Sequence, residues 1–369
     1  MRLRDFLLPS AAVLIVLLPS CRRSVVEKRP TIPYVRAVLA DRTGHEMSVL
    51  KRSAQPSVDA AISYIGPSAA ADRFAELFRE YDCRDNVDGS RRPDGLPDFA
   101  GETLDCIADE DLAKSSPDSA EIAFLRERVV RDALCALDTA LHISPYDIDG
   151  LGEKLTSKLI VLGTPSVTRH GGFDVDTLFR SSGCGIPVIS PIAISFDEVL
   201  GRGGRRLMNV GVIYDPRLSS PEVYQELFAE ACRTHSHDGS LCFPMPSGDR
   251  DSLVYRLLDE YVRSGHGGVL DAVIIDDMNV NPEEIKNELA RTVSVMNESS
   301  MTYGRLIARD FEVESSFELT AGAIFNYLRE KNLFTHNIAK PQLQSFRPVP
   351  KPEAEDASVI LIPGSYVQN

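Results

Sequence analysis

The sequence predicts an α/β fold of two doubly wound lobes whose sheets are mainly parallel. Short apolar runs rich in Val and Ile recur along the chain without polar alternation, which is typical of strands buried on both faces. Amphipathic segments with helix-start residues lie between these runs. This alternation favours parallel strands joined by helical, right-handed crossovers. The 369 residues are enough for two domains with full cores.

The predicted strands are the apolar runs themselves. They occupy residues 34–40, 60–66, 103–108, 158–163, 186–190, 210–215, 270–276 and 305–311. The predicted helices occupy residues 67–82, 116–140, 219–233 and 281–297. In the last two helices we expect Ser220 and Asn281 to be the N-caps, because a proline suited to the first helical position follows each of them.

The chain is expected to divide into five consecutive parts. We predict a signal peptide, a basic and Pro-containing tether, an N-terminal lobe, a C-terminal lobe, and a Pro-rich tail whose apolar ILIPG segment returns as a strand. These parts cover residues 1–20, 21–33, 34–195, 196–335 and 336–369.

The first residues, MRLRDFLLPSAAVLIVLLPSC, have the pattern of a secretion signal. A basic start precedes an apolar run that is too short to span a bilayer. The ending Leu-Pro-Ser-Cys resembles a bacterial lipobox, which implies that Cys21 becomes the lipidated first residue of the mature chain. By the same resemblance Arg22 favours the outer membrane. We therefore expect a lipid-anchored protein of the bacterial cell envelope, its body periplasmic or surface-exposed. An ordinary secreted protein is the alternative.

Charge and cysteine content restrict the partners. The net charge of −14 argues against nucleic acid and against anionic membrane surfaces, so membrane contact is expected only through the lipid anchor. Six cysteines remain besides Cys21, with no Cys-x-x-Cys pair. Several lie in apolar segments, which favours buried free thiols, while up to three disulfides stay open as an alternative. No metal or other cofactor is expected.

Catalytic signatures are missing from the sequence. It contains no Gly-x-Ser-x-Gly elbow, dinucleotide fingerprint, P-loop or His-Glu-x-x-His motif, and we assign no catalytic residue. Open α/β sheets bind ligands outside the carboxyl ends of their strands. The residues predicted to contact a ligand there are Ser68, Tyr146, Thr164, Ser166, Ser190, Asp215, Arg217 and Asp276.

The second half carries a resemblance to a known family. Residues 209–215, a helix with Tyr224 and Phe228, and residues 270–276 are similar to the second lobe of type I periplasmic solute-binding proteins, and residues 309–334 are similar to their closing strand and helix. The resemblance implies two lobes joined by hinge strands, with a small molecule bound in the cleft. It further implies a receptor that passes its solute to a membrane transporter or sensor.

Two other functions remain open. One is a lipid-anchored α/β hydrolase that uses aspartate and histidine with a metal. The residues that favour it are His170, Asp174, Asp176 and the acidic segment 84–102. The aspartates of that segment form either an irregular cation site or caps for its turns. Alternatively, the fold has lost ligand binding and serves as an interaction module.

Overall fold

A computed structural model describes residues 29–203, 207–248, 252–265, 267–299, 306–335, 337, 339–352, 354 and 357–364. The predicted signal peptide and the lipidation site Cys21 lie outside these residues. Within them, no helix combines the length and the apolar character that a bilayer crossing requires.

The described strands and helices alternate along most of the chain. The strands are β1 (Ala61–Gly66), β2 (Thr103–Ala108), β3 (Ala140–Ser144), β4 (Asp147–Glu153), β5 (Ser157–Leu162), β6 (Val188–Ile189), β7 (Asn209–Tyr214), β8 (Leu241–Pro246), β9 (Leu270–Ile275), β10 (Ile307–Ser315), β11 (Gln342–Pro350) and β12 (Val359–Pro363). The helices are α1 (Pro33–Ala40), α2 (His45–Arg52), α3 (Ser68–Glu80), α4 (Ser119–Leu137), α5 (Pro165–Ser182), α6 (Pro191–Arg202), α7 (Pro221–His235), α8 (Leu253–Arg263), α9 (Pro282–Ser299) and α10 (Ser316–Lys331), with a 3₁₀ turn at Glu110–Leu112.

Two sheets organise the molecule. The first has six strands in the order β12-β11-β2-β1-β5-β6, and all its neighbours are parallel except β11 and β12. The second has the order β10-β9-β7-β8 and is entirely parallel. Strands β3 and β4 form a separate antiparallel hairpin. The predicted α/β fold with two mainly parallel lobes is confirmed.

Each sheet is covered on both faces. One apolar cluster packs α1, α2, α4 and α5 against the first sheet, and a second packs α3 and α10 against its other face. The second sheet likewise separates a cluster built with α6 and α7 from one built with α8 and α9. Every residue of β1, β2, β5 and β9 is buried, which explains why these strands read as unbroken apolar runs.

Helix starts follow the predicted chemistry, with one error. Helices α7 and α9 begin at the prolines after Ser220 and Asn281, and the Asn281 side chain accepts the amide N–H of Glu283 at 3.0 Å. Residues 34–40, predicted as a strand, form α1. That prediction was wrong because Pro33 suits the first position of a helix and the buried Val35 and Val38 are spaced for one helical face.

The chain passes between the lobes twice. It leaves the first sheet after β6 and enters α6, whose apolar side packs on the second sheet. It returns after β10 into α10, whose apolar side packs on the first sheet, and then completes that sheet with β11 and β12. The two crossing points are therefore Ser190–Pro191 and Ser315–Ser316.

Candidate ligand site between the lobes

Strand ends from both sheets meet around one internal cavity. Gly163 and Thr164 follow β5, Asp276 follows β9, and the crossing residues Pro191 and Ser316 follow β6 and β10. The cavity volume is ≈ 20 Å³, which holds about one water molecule. The lobes are thus closed over a small polar space at the position where open α/β sheets bind ligands.

Asp276 is the charged group of this cavity. The Tyr224 hydroxyl donates to its Oδ2 at 2.7 Å, and Ser316 is a second side-chain hydrogen-bond partner. Burial raises the pKa of Asp276 to about 6, against the lowering effect of these two hydrogen bonds. The carboxylate is therefore held by donors from α7 and α10, on either side of the cleft.

Gly163 leaves space for a tyrosine ring beneath the cavity. The Tyr64 hydroxyl donates to the carbonyl of Gly163 at 3.0 Å. A Cβ at position 163 would lie 2.0 Å from Cζ of Tyr64, far inside van der Waals contact. The following residue, Thr164, is the N-cap of α5 and accepts the amide N–H of Val167 at 3.3 Å. Glycine at 163 is thus needed for the close approach of β5 and the ring.

Apolar side chains form the remaining wall. Phe74, Leu218, Met278 and Phe317 line the cavity. The rings of Phe74 and Phe317 meet edge to face with centroids 5.4 Å apart, and Tyr64 packs on Phe74 at 4.6 Å. A ligand here would contact one carboxylate and a few hydroxyls on one side and aromatic and aliphatic carbon on the other.

Three contacts hold the lobes together beside the cavity. Ser166 of α5 donates to the hydroxyl of Ser219, just before α7, at 3.3 Å, and both side chains are buried. Arg169 forms an ion pair with Glu226 one turn further along the same two helices. Arg73 of α3 donates to the carbonyl of Met278, after β9, at 3.1 Å. We refer to the Ser166–Ser219 contact as the serine latch.

Five of the eight predicted ligand residues lie at or beside the cavity. Thr164 and Asp276 line it. Ser166 forms half of the serine latch, and Ser190 is the N-cap of α6 and accepts the Thr168 hydroxyl at 2.8 Å. Asp215 follows β7, and its backbone carbonyl accepts the amide N–H of the lining residue Leu218 at 3.0 Å. Its carboxylate is turned to Arg217, whose bonds outweigh burial and lower the pKa of Asp215.

The other three predicted residues face elsewhere. Arg217 is largely exposed and is bound to Asp215, with a shortest distance of 2.6 Å. The backbone amide of Ser68 donates to Glu110 at the start of α3. Tyr146 lies at the tip of the β3–β4 hairpin with 78% of its surface exposed. The structure does not bring these three side chains to the cavity.

The sequence analysis missed most of the cavity wall. Tyr224, Ser316 and Phe317 lie in the first turns of helices that follow strands of the second sheet. The rule that ligands bind at the carboxyl ends of strands could therefore have identified them. Phe74 gave no such signal, because an apolar residue on an amphipathic helix predicts only burial.

Comparisons with known proteins place the chain near no established family. No protein-family model matches it, and no curated protein matches its sequence. Among solved structures, glutamate racemase from Francisella tularensis subsp. tularensis SCHU S4 in complex with D-glutamate is similar with 13% identity and a TM-score of 0.44, over 79% of this chain and 88% of the racemase. Glutamate racemase isoform RacE1 from Bacillus anthracis has 13% identity and a TM-score of 0.46, over 78% and 88% of the two chains.

A solute-binding protein also appears among the similar structures. The ABC transporter solute-binding protein from Burkholderia graminis C4D1M, in complex with D-arabinose, has 10% identity and a TM-score of 0.23, over 84% of this chain and 98% of that one.

A second, larger cavity lies on the other side of the serine latch. Its volume is ≈ 570 Å³, and Arg126, Arg169 and His170 line it together with Glu226 and other residues of both lobes. Burial lowers the pKa of His170, whose Nε2 has no hydrogen-bond partner. The groove is open and lined by charges of both signs.

The residues proposed for a hydrolase do not assemble into a catalytic group. Asp174 is buried and forms a two-point ion pair with Arg126 at 2.7 and 3.0 Å. Asp176 pairs with Arg180 at 2.7 Å on the outer side of α5. Neither aspartate hydrogen-bonds to His170. Each carboxylate is engaged by an arginine instead.

The aspartates of segment 84–102 cap its turns. Asp85 accepts the amide N–H groups of Val87 and Asp88, and Asp98 accepts those of Cys83 and Arg84, all at 2.9–3.1 Å. Among the described residues, no three His, Cys, Asp or Glu side chains are arranged to hold a metal ion. The segment is an ordered loop whose carboxylates satisfy its own backbone.

The six cysteines of the described residues are free thiols. Burial raises the pKa of Cys106 and of Cys135 to about 12, so both remain protonated at neutral pH. None of the six lines the inter-lobe cavity. Cys106, Cys232 and Cys242 are buried, whereas Cys83 is exposed.

Proposed function

We propose that this protein is a lipid-anchored solute-binding protein that captures a small molecule in the inter-lobe cavity and passes it to a membrane transporter or sensor. The observation that carries the proposal is the position of the cavity. It lies between two lobes, at their strand ends, and both segments that cross between the lobes line it. Rotation about two such crossings opens and closes a cleft in two-lobed binding proteins.

The cavity volume supports capture by closure. A space of ≈ 20 Å³ admits about one water, so a solute enters only when the lobes separate. The polar contacts that would break include the serine latch, the Arg169–Glu226 ion pair and the Arg73 hydrogen bond. Exposed or neutral bonds of this kind contribute about 0–1.5 kcal/mol each. Leu218 and Met278 of the second lobe would also lose their packing against the apolar cluster of the first.

A thermal-shift screen of the purified protein against metabolites tests this function. One class of compound should raise the melting temperature without being converted. D-Glutamate and D-arabinose, the compounds bound in two of the similar structures, belong in the screen. Conversion of a stabilising compound would favour the hydrolase, and stabilisation by none would contradict solute binding and favour the interaction module.

Lipid anchoring is tested separately at Cys21. In a bacterial host grown with labelled palmitate, the wild-type chain should incorporate label and sediment with outer membranes. Cys21→Ser should abolish both, whereas Cys83→Ser, a change of an exposed thiol, should leave them intact. Labelling that persists in Cys21→Ser would contradict the proposed anchor.

A further inference from the structure

The inter-lobe cavity has a defined charge. Among the described residues that line it, Asp276 is the one that is ionised at neutral pH. Tyr224 stays neutral, because burial raises its pKa well above the ordinary value. The other lining side chains are hydroxyls, prolines and apolar groups. A solute that enters here when the lobes separate meets a single negative charge, with no lysine or arginine in the lining to balance it.

Asp276 keeps capacity for further donors. A carboxylate has two oxygens with about four acceptor positions. The Tyr224 hydroxyl occupies one on Oδ2 at 2.7 Å, and Ser316 is the second side-chain partner. Ligand N–H groups can take the remaining positions, and charge-assisted bonds of this type are about twice as strong as neutral ones.

The opposite wall suits an organic cation better than a metal ion. Phe74, Leu218, Met278 and Phe317 present carbon and sulfur to the cavity, whereas hard metal ions require six or more oxygen ligands. Aromatic faces attract ammonium groups, and the adjoining rings of Phe74 and Phe317 line the same small cavity as Asp276.

We propose that the solute captured between the lobes is a small organic ammonium compound, whose charged nitrogen binds Asp276 and whose carbon skeleton packs against Phe74 and Phe317. The inference rests on the proposed function, because it names the chemical class of the solute for the same cavity. An anion is disfavoured by direct repulsion from Asp276. A neutral sugar would leave the carboxylate without a counter-charge once the lobes close.

Matched probes of one shape and different charge test the proposal. Isobutylamine, isobutanol and isobutyrate are compared by calorimetry on the full chain, together with larger amines and with D-glutamate and D-arabinose. Amines should bind at least about ten-fold more tightly than their alcohol and carboxylate counterparts. Asp276→Asn should remove that preference, while Asp176→Asn, which alters an exposed ion pair, should keep it.

The wild-type protein supplies a second measurement in case Asp276→Asn fails to fold. The groups that influence Asp276 are Tyr224 from α7 of the same lobe, Ser316 at the start of α10, Asp277 beside it and Tyr64 from β1 of the other lobe. Since its carboxyl loses its proton near pH 6, amine affinity should rise about ten-fold from pH 5 to pH 7 and then level off.

The outcomes are distinct. Amine preference that depends on position 276 supports both proposals. Tight binding of the sugar or of carboxylates in the cavity, with no amine preference, overturns the ammonium proposal and leaves solute binding standing. Binding of no probe or metabolite overturns both.

Discussion

A disulfide in place of the serine latch should lock the lobes. The Oγ atoms of Ser166 and Ser219 are 3.3 Å apart, so cysteines at these positions need move only about one ångström to reach an S–S bond of about 2.05 Å. Ser166→Cys/Ser219→Cys is therefore expected to oxidise readily. The bond would join α5 of one lobe to the residue before α7 of the other.

The stabilisation that the disulfide provides follows from the separation of 53 residues between the two serines. Closing a loop of that length removes entropy from the unfolded chain that corresponds to about 4 kcal/mol, an upper value when the native bond is strained. Urea unfolding with and without dithiothreitol measures it, and the two single-cysteine variants are the controls because they cannot form the bond.

The same variant tests whether the cleft must open. If solute enters by separation of the lobes, the oxidised double variant should lose binding and uptake of any solute found in the screen, and reduction should restore both. The two single variants should bind normally in either redox state. Undiminished binding by the fully oxidised protein would refute the argument that the cavity is reached by opening at this seam.

Three further substitutions test the packing that supports the site. Gly163→Ala forces a Cβ into the ring of Tyr64 and should lower the free energy of unfolding, measured in urea, by about 1–3 kcal/mol. The control Gly172→Ala should leave it unchanged, because a Cβ there meets nothing nearer than 3.5 Å. Lys158→Met leaves the fully buried Glu102, 2.6 Å away in the wild type, without its counter-charge. The substitution should lower the free energy of unfolding by about 3–5 kcal/mol, and the double variant Glu102→Gln/Lys158→Met should recover much of that loss. A Lys158→Met variant as stable as the wild type would refute the buried pairing. Burial raises the pKa of Asp105 from 3.8 to about 6, so the folded state holds this proton more tightly than the unfolded state. Stability should therefore fall as pH rises from about 4 to about 6. Asp105→Asn should reduce that slope and raise the free energy of unfolding by on the order of 2–3 kcal/mol at pH 7. An unchanged slope in a pH series of urea unfolding would contradict this prediction.

The strands most easily predicted were those buried on both faces. Strands β1, β5 and β9 lie inside their sheets, and their unbroken apolar runs follow from that burial. Strand β8, LCFPMP, was missed because two prolines argue against a strand, although it lies at the edge of its sheet, where proline is tolerated. Local pattern therefore identified interior strands better than edge strands.

The candidate site was predictable in its polar part only. Asp276 and Thr164 follow strands directly, so the rule that ligands bind at strand ends identifies them. Phe74 and Phe317 meet in one wall of the cavity although 243 positions separate them, because α10 returns to pack on the first sheet. No pattern within either helix indicates that contact, since it depends on the path of the chain between the lobes.

The return of the chain to the first sheet also sets an order of folding. Strand β2 pairs with β11, joining Thr103 to Gln342, so one edge of that sheet stays unpaired until a segment more than two hundred positions later in the chain joins it. The second sheet is built from one continuous stretch, β7 to β10, and contains no such distant pairing. Contacts close in sequence form faster than distant ones. The lobe that begins first along the chain is therefore the one completed last.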